Sequence, residues 1–306
     1  MRTSPASRSP SPAPTDLPNI EASPVLPVTD LSSPSKWTKV TRQGTGAAVE
    51  RKTMRILVAN VNTTQSMTDS IAAQARAAAA PGTEIVGITP RFGADSCEGN
   101  FESYLAAIAV MDAVVNYPEP FDAVIQAGYG EHGREGLQEL LDVPVVDITE
   151  AAASTAMFLG HKYSVVTTLD RAVPLIEDRL KLAGLEARCA SVRASGMAVL
   201  ELEEYPERAV EAIVSQAEQA VHNDKAEVIV LGCGGMAGLD EQIRQRTGVP
   251  VVDGVAAAVT IAESLVRLGL STSKVRTYAT PRPKTVIGWP ITASQPAANQ
   301  NAEAAR

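Results

Sequence analysis

Glu227-Val-Ile-Val-Leu-Gly-Cys-Gly-Gly-Met236 decides how the rest of the chain is read. Val228 to Leu231 make a short β-branched apolar run, the pattern of a strand buried on both faces of a parallel sheet. Gly232 ends it, and Cys233 stands where the chain leaves the sheet. Gly234 and Gly235 let the backbone turn sharply and expose its N–H groups. A polar helix pattern from Leu239 to Arg246 follows. Ligands of open α/β sheets bind beyond the carboxyl ends of the strands. A thiol at that edge, beside free amides and a helix N-terminus, is expected to have its pKa lowered toward thiolate. The plain alternative is a small buried hydrophobe, but glycines on both sides favour chemistry.

The stretch has an echo. Val124-Ile-Gln-Ala-Gly-Tyr-Gly-Glu-His-Gly133 is also an apolar strand entering a glycine-rich turn. Each turn leads to a helix pattern and then to a matching strand, Val143-Pro-Val-Val-Asp147 or Val249-Pro-Val-Val-Asp253, before an Ala-rich helix from Glu150 or Val255. This is the mark of an internal duplication. Two like units can face each other across a cleft. The cysteine of the second turn has no counterpart in the first, where Gly128 stands.

The chain has 306 residues, 45% hydrophobic and 20% charged, with a net charge of -8. That balance suits an α/β protein with a sizeable core and argues against nucleic-acid or anionic-membrane partners. No apolar run reaches the length of a membrane span. Cys97, Cys189 and Cys233 form neither a disulfide framework nor a zinc pattern, so no metal is expected and a reducing cytoplasm is the simplest location. Cys189, on a strand over Glu186 to Val192, reads as core.

Residues 1–53 are rich in Ser and Pro and read as a disordered extension, or as sequence ahead of a true start at Met54. Residues 290–306 read as a disordered tail. Between them strands and helices alternate, which predicts parallel sheets with helices on both faces. The expected architecture is α/β, two pseudo-symmetric parallel-sheet halves with a cleft between them: 54–150 with the closing helix 255–268, and 151–254. After the first strand, Asn60-Val-Asn-Thr-Thr-Gln-Ser66 is a polar helix start, suited to a carboxylate or carbonyl oxygen. Thr167 and Thr168 fall at the same sheet edge, as caps or as ligand contacts. The loop Arg91-Phe-Gly-Ala-Asp-Ser-Cys-Glu-Gly-Asn100 brings Ser96, Cys97 and Glu98 either to the cleft or to the surface.

At these residues the chain resembles the hydantoin racemase family of the aspartate/glutamate racemase superfamily, from Met54 to about Trp289. The motifs are Asn60-Val-Asn-Thr-Thr64, Val166-Thr-Thr-Leu169, Leu231-Gly-Cys-Gly-Gly-Met-Ala237, Val249-Pro-Val-Val-Asp-Gly254 and Ala262-Glu-Ser-Leu-Val-Arg-Leu-Gly-Leu270. The resemblance implies a small-molecule substrate between the halves, no cofactor, a homo-oligomer, and a cofactor-independent racemase or epimerase. It also implies two cysteines on opposite faces of the substrate, because inverting a fixed stereocentre needs an acid and a base on opposite sides. Cys233 matches the second. The first falls at Gly128, where the family commonly has Cys-Phe-Gly-Asp-Pro-Gly. His132, Tyr129, Glu131 and Cys97 are candidates to fill that gap, with His132 the most economical. The expected site is therefore Cys233 and His132 as catalytic residues. Asn60, Asn62, Thr63, Gly128, Tyr129, Thr167, Thr168 and Gly234 are expected around the substrate. Two alternatives stay open: a single-cysteine lyase that protonates one face, similar in site chemistry to arylmalonate decarboxylases, and a non-catalytic ligand-binding homologue.

Overall fold

Alternation along strand β1 (Met54–Ala59) sets the layering. Ile56 and Val58 enter one core, Leu57 and Ala59 another, as the two-residue period of a strand requires. The computed structural model describes residues 53–283. The extension and tail expected at 1–53 and 290–306 lie, but for residue 53, outside the described residues.

The first sheet runs β2 (Thr83–Ile88), β1, β3 (Ala123–Gln126), β4 (Val145–Asp147), all parallel. The second runs β6 (Cys189–Ala194), β5 (Tyr163–Thr167), β7 (Val228–Leu231), β8 (Val251–Val252), also parallel. The two share one strand order, so the repeated motifs correspond to repeated topology. On the outer face of the first sheet lies α2 (Asn100–Val115), packed through Ala106, Val110 and Val114. On that of the second lies α7 (Pro206–His222), packed through Ile213 and Ala217.

The inner faces share one core. Ile56, Val58 and Ile125 meet Val165, Val228 and Val230 around two helices, α4 (Ile148–Ala156) and α9 (Gly254–Arg267). Each helix leaves its own sheet: α9 packs on β3, β4 and α1 (Gln65–Ala78), and α4 on β7, β8 and α5 (Val173–Leu182). Their starts nearly touch. A Cβ on Gly254 would lie 3.0 Å from the Ile148 carbonyl oxygen. Both follow an aspartate N-cap, whose carboxylate accepts orphan amides of the first turn: Asp147 from Glu150, and Asp253 from Val255 and Ala256. Both cap-bearing strands are shorter than the sequence suggests. Pro144 and Pro250 have no N–H to donate to a ladder, and pairing begins after each. The strand expected from Glu186 begins only at Cys189, because Gly184 turns left-handed (φ +72°) and Glu186–Arg188 form a 3-10 turn. Among the described residues there are three further short α-helices: α3 (Arg134–Leu140), α6 (Glu201–Glu204), which sequence patterning did not suggest, and α8 (Asp240–Thr247). Among the described residues no helix is long and apolar enough to cross a membrane.

A buried guanidinium ties the halves together. Arg179 of α5 is 3% exposed and reaches Glu135 (2.6 Å), Glu150 (2.8 Å), Asp147 (3.0 Å) and Glu131 (3.2 Å), all from the first half. Arg134 shares Glu150, Glu135 and Asp147. Removing one charge from a buried network leaves its partners uncompensated. Arg179→Ala should therefore lower unfolding free energy by roughly 3–5 kcal/mol, read by urea denaturation. An unchanged midpoint would show that the network contributes nothing net.

Candidate active site

The carboxyl ends of β1, β3, β5 and β7 converge on one small cavity, partly open to solvent. Its walls are the turns after those strands and the first turns of α1, through Met67 and Ile71, with Cys97 and Val199 added from loops of the two halves. The expected residues Asn60, Asn62, Gly128, Tyr129, His132, Thr167, Thr168, Cys233 and Gly234 all line it.

The turn after β7 is pressed against the turn after β3. A Cβ on Gly234 would lie 2.6 Å from the Ala127 carbonyl oxygen, and one on Gly232 2.6 Å from a Val165 methyl. Only glycine fits at either place. Thr167 locks the β5 and β7 turns together by donating to the Gly232 carbonyl at 2.9 Å. Cys233 caps a 3-10 turn, Gly234–Met236, and its Sγ accepts from the Gly235 N–H at 3.4 Å. Its pKa is not lowered as the sequence suggests. Burial pushes the thiol up to about 11, against the opposing amides of Gly235 and Met236, and Glu98 adds to the rise. The physical reason is that desolvation of the sulfur outweighs the two amides of the 3-10 turn it caps.

Gly128 is closed in. A Cβ there would lie 2.5 and 2.8 Å from the two methyl carbons of Val61 and 2.8 Å from Nε2 of Gln126. Val61, the one apolar residue of the polar turn after β1, thus occupies the space a side chain at 128 would enter. Sequence reasoning missed its role, though its isolation among polar neighbours was the signal.

The two asparagines differ. Asn60 Nδ2 donates to Asn62 Oδ1 (2.8 Å), Thr68 Oγ1 (3.0 Å) and the Thr64 carbonyl (3.1 Å), so its amide is spent shaping the turn. Asn62 Nδ2 meets only the Met67 sulfur, at 3.4 Å, a weak acceptor that a ligand oxygen would displace. Thr63 does not line the cavity. Its N–H and hydroxyl both go to the Ala94 carbonyl, at 2.9 and 3.2 Å, strapping the loop that carries Cys97.

Tyr129 packs its ring on the central core and leaves a buried hydroxyl without a partner among the described residues. Burial raises its pKa well above the ordinary value. His132 folds back over its turn, its Cε1 3.2 Å from the place of a Gly130 Cβ. It is 4% exposed, with Nε2 3.5 Å from Ser103 Oγ and Nδ1 unpartnered among the described residues. Glu131 turns away, to Arg179 and to the Gly133 N–H at 2.9 Å. Among the described residues no cluster of His, Cys, Asp or Glu is arranged to hold a metal ion.

Burial lowers His132 from 6.5 to about 4. As pH falls below 6.5 the unfolded chain takes up a proton that the folded imidazole refuses until about 4. The stability contributed by the neutral ring is thus complete above that window and is lost as pH falls through it. The melting temperature of the protein should drop faster across this window than that of His132→Gln. Parallel curves would mean that the imidazole titrates as it does in water.

A family model described as Asp/Glu/Hydantoin racemase matches residues 56–262. The crystal structure of allantoin racemase from Pseudomonas fluorescens is 85% identical, with a TM-score of 0.76, covering 77% of this chain and 100% of that one. Allantoin racemase from Klebsiella pneumoniae is 40% identical, with a TM-score of 0.75, over 77% of this chain and 97% of that one. The hydantoin racemase of Pseudomonas sp. (strain NS671) is 38% identical over 236 residues, 77% of this chain and 95% of its own length. With a matching family model across most of the chain and relatives covered almost end to end, the chain belongs to the Asp/Glu/Hydantoin racemase family and is an isomerase.

Proposed function

We propose that the protein racemises a five-membered ureide ring, with allantoin as first substrate and other hydantoin-type rings behind it, by proton transfer at the carbon alpha to a carbonyl. One observation carries the substrate class. No Arg, Lys, Asp or Glu side chain lines the cavity. A free amino acid would bring two charges that such walls cannot pair, and unpaired buried charge is costly. A neutral ring of amide N–H and C=O groups needs only hydrogen-bond partners. The identity to allantoin racemases supports the same choice.

In this reading Cys233 is the principal acid/base. Its thiolate takes the hydrogen from the ring carbon, and the electron pair moves into the adjacent carbonyl as an enolate. Gly235 and Met236 amides hold the sulfur's charge before transfer. Asn62 Nδ2 and the Tyr129 hydroxyl hydrogen-bond ring oxygens, and His132, neutral, presents an N–H to the enolate oxygen. Asn60, Gly128, Thr167, Thr168 and Gly234 shape the wall, and Thr63 holds the loop over it. A homo-oligomer in the cytoplasm belongs to the same proposal. Its supports are the large exposed apolar side chains Phe158 (90%) and Leu182 (81%) and the three free thiols.

A lyase that protonates one face is the second reading, and one observation favours it. Gly128 offers no thiol and Val61 covers it with methyl groups. Incubation in deuterium oxide with allantoin, hydantoins and arylmalonates separates the two. The first reading gives α-deuterium together with inversion; the second gives a decarboxylated product as one enantiomer. Cys233→Ala should cut turnover by roughly 10²–10⁴-fold, and full activity in that variant would sink both. Because the working base is a thiolate with a raised pKa, kcat/KM should climb with pH through the neutral and mildly alkaline range. Asn62→Ala should raise KM or slow turnover with little change in melting temperature.

A further inference from the structure

Cys97 stands in the same cavity as Cys233 and is held there from both sides. Its loop is strapped to the first half by Thr63, whose N–H and hydroxyl reach the Ala94 carbonyl at 2.9 and 3.2 Å, and by the Thr64 hydroxyl on the Asp95 carbonyl at 2.7 Å. On its other side Glu98 Oε1 accepts the Val199 N–H of the second half at 3.0 Å. The thiol itself donates to the Val61 carbonyl at 3.2 Å. Val61 is also the residue whose methyl groups fill the space over Gly128. Cys97 therefore approaches from the side of the Gly128 turn, whereas Cys233 comes from the end of β7.

We propose that Cys97 is the acid/base on the substrate face opposite Cys233, so that the second thiol of the pair comes from the strapped loop rather than from the turn after β3. The proposal rests on the reading of Cys233 as the principal acid/base. In one direction the Cys233 thiolate takes the α-proton and becomes a thiol. The enolate re-forms its C–H bond on the opposite face with the proton of Cys97, which is left as the thiolate. In the reverse direction the roles exchange, so no other reactant is consumed.

The electrostatics fit such a pair. Burial pushes the Cys97 thiol up to about 12, with further rises from Glu102, from Cys233 and from Glu98. Charge on one sulfur thus keeps the other protonated, which gives one base and one acid at any moment. The other candidates fit less well. His132 is neutral at pH 7 and has no imidazolium proton to give, and the Glu131 carboxylate is committed to Arg179 outside the cavity.

The test uses the full chain and its Cys97→Ala and Cys97→Ser variants with each enantiomer of allantoin in deuterium oxide. Loss of the α-proton signal is followed by NMR, and inversion by circular dichroism. Inversion should fall by about a hundredfold or more in both variants, while one enantiomer still exchanges its α-proton through Cys233 with retained configuration. That surviving exchange also shows that the variants are folded. Wild-type inversion in Cys97→Ala would overturn the proposal and leave the racemase reading intact. Equal loss of exchange and inversion would also overturn it, because Cys97 would then act only through structure. A wild type that exchanges through Cys233 without inverting would overturn it as well. Absence of exchange with any ureide ring would remove the Cys233 reading along with it.

Discussion

Two backbone turns touch at the centre of this molecule, and the site depends on that contact. The Gly234 turn meets the Ala127 carbonyl so closely that any side chain at 234 would force the sheets apart. Farther down, Gly254 against the Ile148 carbonyl allows α9 and α4 to cross and enter the opposite halves. Both approaches use glycine for its small volume, not for a left-handed backbone. They place four strand ends around one small cavity. The shared inner core then fixes that placement, because Val228 and Val230 of one sheet pack into the same cluster as Ile56 and Val58 of the other. Displacing either turn would disturb tightly packed side chains.

Local rules made much of this visible beforehand. Apolar runs ending in Gly-rich turns located β3 and β7, and the rule that ligands gather beyond strand carboxyl ends located the cavity. The repeated Val-Pro-Val-Val-Asp motif anticipated two caps that do the same work. What was hidden depends on residues far apart in sequence. Arg179 carried no pattern of its own; its four carboxylates come from α3, β4, α4 and the Gly128 turn. Thr63 carried the wrong implication, because a polar residue in a ligand turn can equally serve the loop beside it. The thiolate expectation for Cys233 failed for a related reason. The glycines were visible, but the burial of the sulfur between two turns from distant parts of the chain was not.

The cavity and the network behind it divide the electrostatic work. Arg134, Arg179 and their carboxylates concentrate fixed charge outside the cavity wall, where each ion has partners at hydrogen-bond distance. Inside the wall burial drives every acid–base group toward its uncharged form. Cys97, Cys233 and Tyr129 are pushed up and His132 down. Desolvation is the leading cause in all four, so one cause produces shifts of opposite sign according to which form carries charge.

A site with uncharged walls that desolvates its thiols raises the cost of making a thiolate and also increases its usefulness. A sulfur anion that is weakly solvated and held by only the Gly235 and Met236 amides is a strong base toward a carbon acid. The same surroundings would penalise two simultaneous charges, so proton removal on one face and delivery on the other must be closely coupled if the enolate is not to persist. The proposed pair of thiols would meet that requirement, since charge on Cys233 raises the proton affinity of Cys97. In that arrangement Glu98 contributes twice. Its carboxylate anchors the strap that carries Cys97 to Val199, and its charge raises the proton affinity of both sulfurs. The loop at the cavity thereby adds a small rise to the one that burial produces in both thiols.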